Sequence, residues 1–96
     1  MEMLLVIYNA WIDDEMLEAL TQAGMKCYTR FSNLHGAGEC SEPHLDTQIW
    51  PGTNSMLLIA VQPGEKDALL DAVRKMKDIH RDEGVRAFIL PVTSSV

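Results

Sequence analysis

Four short segments rich in Val, Ile and Leu, with two amphipathic segments between them and a glycine stop behind each, predict an α+β fold. The order is strand, helix, strand, strand, helix, strand. Folded with right-handed crossovers, it makes a ferredoxin-like βαββαβ sandwich: a four-stranded antiparallel sheet with two helices on one face. The 96 residues are expected to form one domain, 1–96, near the small end of what buries its own core.

The first strand is the apolar run Met3 to Tyr8, too short for a helix and β-branched enough for a buried strand. IDDEMLEALTQAG follows, with Ile12, Met16, Ala19, Leu20 and Ala23 at helical spacing. Asp13, Asp14 and Glu15 stand near the positive helix end, and Gly24 supplies the stop. Met25 to Leu34 alternates as a half-covered strand and holds Cys27. MLLIAV, Met56 to Val61, is the third strand. GEKDALLDAVRKMKDIHRDEG is the second helix, with Leu69, Val73, Met76 and His80 on one face and Gly84 at its end. His80 reads as a helix-end cation partner, and Met16, Met56 and Met76 read as core. The fourth strand is Val85 to Val92, ended by Pro91, which cannot donate to a central ladder.

Two helices cover one face of such a sheet, yet three of the strands are apolar at consecutive positions and call for cover on both. A cyclic homo-oligomer whose sheets meet around its axis supplies it, and a homotrimer is expected. With 47% hydrophobic and 23% charged residues the chain is globular. Fourteen acids against eight bases give a formal charge of -6, so nucleic acid is not an expected partner. The opening MEMLLVIY has six consecutive apolar residues and no basic leader, so no membrane insertion is expected and the location is cytoplasmic. Two cysteines, Cys27 and Cys40, read as reduced thiols.

The long connection at about 36–54 within HGAGECSEPHLDTQIWPGTN is too rich in chemistry for a plain linker. Trp50 either packs the loop across a neighbouring subunit or anchors a partner protein. His35, Glu39, Cys40, Glu42, His44 and Asp46 are either divalent-metal ligands, with Cys40 and His44 as the foremost donors, or solvated loop polars; the spacing matches no zinc signature. Cys40 with His35 or His44 lacks a visible oxyanion donor or orienting group, so an enzyme is not expected.

Taken in order, IDDEMLEALTQAGM, HGAGE and GVRAFILPV resemble the nitrogen regulatory PII superfamily. Arg86 to Val92, RAFILPV, is similar to the family's last strand, and Gly36-Ala37-Gly38 to its Gly-x-Gly before the loop. The resemblance implies a regulatory trimer that senses a small ligand between subunits through His35, Gly36, Gly38, Glu39 and Arg86. It also implies contact with a protein partner through loop 36–54. Glu39 stands where nucleotide-binding members carry a basic residue, the turn HRDEGVR has a single glycine, and the loop has no tyrosine for uridylylation. Weak or absent ATP binding follows. The rival reading is a trimer that senses or buffers divalent ions through Cys40 and His44. Zinc titration into the reduced protein should then give saturable binding that Cys40→Ser and His44→Ala each abolish.

Overall fold

The computed structural model describes residues 1–36 and 53–96. In chain order it contains strand β1 (Glu2–Asn9), a 3-10 turn (Ala10–Ile12), helix α1 (Asp13–Gln22) and strand β2 (Thr29–Leu34). Strand β3 (Asn54–Val61), helix α2 (Lys66–Ile79), a second 3-10 turn (Arg81–Glu83) and strand β4 (Arg86–Pro91) follow. The sheet order is β2-β3-β1-β4 and every pairing is antiparallel. The strands that each helix joins are parallel without being neighbours, because β3 lies between β1 and β2, and β1 between β3 and β4. The ferredoxin-like architecture expected from the sequence is present.

The helix ends follow local chemistry. Asp13, Asp14 and Glu15 occupy the first turn of α1, where the unsatisfied N–H groups favour acids. Its far end closes as a Schellman motif: Gly24 takes φ 111°, Met25 N–H donates to Leu20 C=O at 2.9 Å and Gly24 N–H to Thr21 C=O at 3.1 Å. Met25 is thereby buried as the close of the helix and is not the start of a strand. The second helix stops at Ile79, and Gly84, at φ 68°, makes the left-handed turn into β4.

Alternation divides the sheet into two faces. Leu4, Val6 and Tyr8 of β1 and Leu57, Ile59 and Val61 of β3 join Met16, Leu20, Leu69, Val73 and Met76 of the helices in one core, with Ile12, Met25 and Val85 at its rim. The opposite face carries Met3, Leu5 and Ile7 of β1, Met56, Leu58 and Ala60 of β3, Phe88 and Leu90 of β4, and Phe31 of β2. Phe88, Leu90 and Phe31 are 48%, 45% and 40% exposed. Met56 therefore belongs to this open face, unlike the other two methionines expected in the core.

Two expectations need correction. Strand β2 begins at Thr29, so Cys27 lies before it and is exposed. Nor is β2 half-covered: as an edge strand it contributes nothing to the core, and only Leu34 is partly buried. A register shift between Phe31 and Leu34, with Asn33 at φ 58°, inserts one extra residue there. Leu34 pairs with Asn54 and so joins the open face, although it stands three residues from Phe31. Pro91 sits within β4, where its missing N–H is tolerated because β4 is the other edge.

Candidate functional site

The end of β1, the end of β2 and the starts of β3 and β4 lie at one end of the sheet. His35 and Gly36 leave this end from β2 and are exposed. A Cβ built on Gly36 would stand 3.8 Å from Asn54 Nδ2, an ordinary contact, so neither crowding nor a positive φ requires glycine here. Arg86 begins β4, opposite Ile7, and is exposed on the open face. It has no salt-bridge partner among the described residues.

Within one chain these residues do not converge. Arg86 is on one edge strand, while His35 and Gly36 follow the other. With three strand spacings between the edges, the gap is at least about 14 Å. Gly38, Glu39, Cys40, His44 and Trp50 lie outside the described residues. No group of three or more His, Cys, Asp or Glu side chains suited to a metal ion occurs among the described residues.

Several polar residues at this end escaped the sequence reading. Asn9 is 3% exposed, and its Oδ1 accepts from Trp11 N–H at 2.9 Å, capping the 3-10 turn. Ala10 N–H donates to Thr53 C=O at 3.0 Å, which fixes the turn to the chain entering β3. Asn9, Ala10, Trp11 and Thr53 line a shallow recess, and Trp11 is 76% exposed. An asparagine between an apolar run and an acid-led helix is a cap signal, and it was available in the sequence.

On the helix side, the Tyr8 hydroxyl donates to Asp13 Oδ1, and Arg30 of β2 pairs with Asp13 Oδ2. Burial, then the hydrogen bond to Asp13 and its charge, pushes the Tyr8 phenol far above its usual range. Asp13 thus ties β1, α1 and the otherwise uncovered β2 together. His80 does act at a helix end: its Nε2 lies 3.0 Å from Glu15 Oε2 of α1, and its Nδ1 lies 3.7 Å from Glu83 Oε1. It joins the end of α2 to the start of α1.

No protein-family model matches the chain, and no curated protein does. Solved structures do. A nitrogen regulatory PII-like protein from Thiomonas intermedia K12, CPII, bound to ADP, AMP and bicarbonate, superposes with a TM-score of 0.67 at 21% identity, over 99% of this chain and 94% of that one. The same protein bound to ADP, AMP and acetate gives a TM-score of 0.68 at 22% identity, over 97% and 88%. A Thermus thermophilus protein described as PII-like gives 0.61 at 15% identity, over 92% and 82%. The βαββαβ order, the antiparallel sheet β2-β3-β1-β4 and these superpositions together identify the fold of this chain as that of the PII-like proteins.

Proposed function

We propose that this chain is a PII-like regulatory protein, a homotrimer that senses a small ligand in the cleft between subunits and contacts a partner protein through loop 36–54. The placement of the candidate residues on opposite edges of one sheet carries this reading. In a ring of identical chains one surface meets a different surface of the next copy, so the β4 edge of one can approach the β2 edge of its neighbour. Arg86 then comes beside His35 and Gly36, which a single chain keeps apart. The apolar open face supports the same assembly, because a monomer leaves it in water.

The role is regulatory, with the ligand held by few charges. Adenine nucleotides and bicarbonate occupy CPII, and Arg86 is the described cation available to an anion at this end. Glu39 opposes a triphosphate. Light scattering coupled to size exclusion is expected to give three times the 10.7 kDa of the chain. Calorimetry is expected to show weak or no ATP binding in magnesium, and Arg86→Ala should cost any bound AMP or ADP about tenfold, the worth of one charge-assisted hydrogen bond. Tight magnesium-dependent ATP binding overturns the ligand assignment, and a clean monomer overturns the assembly.

A further inference from the structure

We propose that the cleft between the start of β1 and the turn leading into α2 binds a free α-amino acid with an apolar side chain, its carboxylate on the Lys66 ammonium and its ammonium on the Glu2 carboxylate. This is a second small-molecule site. It lies at the opposite end of the sheet from His35 and Gly36 and depends on neither the ligand nor the assembly proposed above.

The ion pair is the first observation. Lys66 Nζ lies 3.3 Å from Glu2 Oε1, and both residues line a cleft of about 290 Å3. The contact is longer than the roughly 2.7–2.9 Å of a close charge-assisted hydrogen bond. An ammonium with three donors and a carboxylate with about four acceptor positions also keep capacity beyond one another. Lys66 stands where a helix disfavours it: it is the first residue of α2, at the positive end, where an acid is favoured and a lysine is not. Such a break with local preference is expected at functional positions.

The walls of the cleft are the second observation. Gln62 N–H donates to Glu65 Oε1 at 3.0 Å and Glu65 N–H to Gln62 C=O at 3.1 Å, which fixes the turn from β3 into α2. Within that turn Gly64 takes φ 91°, and a Cβ built on it would meet nothing within 4 Å, so the space beside it is open. Met1, Val61 and Pro63 supply the apolar lining. Walls set before a ligand arrives lower the cost of binding it. The volume is at the small end of ligand sites and suits a molecule of amino-acid size.

Charge selects the class of ligand. The lining side chains carry one charge of each sign. A simple anion drawn to Lys66 meets Glu2 beside it, and a simple cation drawn to Glu2 meets Lys66. A zwitterion with both charges on one carbon satisfies the two together, laid head to tail against the pair. It is neutral overall, so the formal charge of -6 does not repel it. Glu2 shares the alternation of Leu4 and Val6 and so lies on the helix side of the sheet, away from the open apolar face. The cleft therefore stays accessible when copies associate through that face.

The test titrates three compounds with the same branched chain, L-leucine, isocaproate and isoamylamine, into isotope-labelled full-length protein at low ionic strength. The Gly64 amide and Val61 methyl resonances are followed. Leucine carries both charges, isocaproate only the carboxylate and isoamylamine only the ammonium. Leucine is expected to shift both resonances saturably with a Kd on the order of millimolar, and each single-charge compound at least about fivefold more weakly. Lys66→Gln and Glu2→Gln each alter a partly exposed side chain and should each weaken leucine binding about fivefold with the fold intact. Asp71→Asn, which breaks another exposed ion pair, should leave it unchanged. A monomeric variant should bind leucine equally, so failure of the trimer reading leaves this test standing. No saturation with leucine, equal binding of a single-charge compound, or unchanged affinity in both cleft variants overturns the proposal.

Discussion

Leu5→Glu is expected to convert the proposed trimer to a folded monomer. Leu5 stands at the centre of the open face, between Phe88 of β4 and Leu58 of β3 in the paired register. Met3 and Ile7 flank it along β1. In a lone chain this face meets water, so a glutamate there disturbs no core contact. In an assembly whose sheets face the axis, each copy would bury a carboxylate without a partner. Such a charge is destabilising by about 3–5 kcal/mol, and symmetry repeats it in every copy. A loss of association of about a hundredfold or more is expected, read as a fall in mass by light scattering with helix and sheet content unchanged. Leu4→Ala, one residue away, is the contrast: Leu4 is fully buried under the helices, so its truncation should lower stability by about 2–5 kcal/mol. If Leu5→Glu keeps the wild-type mass, the open face is not the contact between copies.

The same alternation explains what could be read in advance. Consecutive apolar residues in the first, third and fourth strands announced two faces in need of cover, and β1 and β3 carry apolar side chains on both sides. The helical spacing of Met16 with Leu20, and of Leu69 with Val73 and Met76, matched the core they form. Strand β2 was less legible because an edge strand has little core contact to enforce its pattern. Its Asn33 bulge then reversed the alternation just before His35. Cys27 was placed in a strand on that weak pattern and lies outside it. The links that organise the site end were not legible at all. Arg30 and Asp13 are 17 residues apart and His80 and Glu15 are 65 apart, so only the packing of α1 against β2 and against the end of α2 brings them together.

Separation of Arg86 from His35 and Gly36 was, by contrast, implicit in the strand order. Once β1 and β3 take the centre, the second and fourth strands become opposite edges. Residues that resemble a single family site are then divided between two edges of one sheet, and in the proposed assembly a neighbouring copy completes it. This makes oligomeric state and ligand binding one question: the Leu5→Glu monomer should lose any ligand that needs both edges, while keeping the cleft beside Glu2 and Lys66.

Asp13→Ala is expected to lower stability by about 2–3 kcal/mol, more than Tyr8→Phe at about 1 kcal/mol, and the difference identifies Asp13 as the junction of three elements. Removing the carboxylate leaves the buried Tyr8 hydroxyl without its acceptor, frees Arg30 of the edge strand and takes an acid from the first turn of α1. Removing the hydroxyl leaves the Asp13–Arg30 pair in place. The two variants should also differ in alkali. Because the folded phenol is held far above its usual range, the native state keeps a proton that the unfolded chain loses. Stability from this source is full below the unfolded value of about 10 and declines as pH rises above it, by up to about 1.4 kcal/mol per pH unit. Urea unfolding at about pH 8 and about pH 11 should therefore show a smaller alkaline loss for Tyr8→Phe than for the wild type. Equal losses in the two proteins would mean that Tyr8 ionises as readily in the fold as outside it, and that the hydrogen bond to Asp13 does not hold its proton.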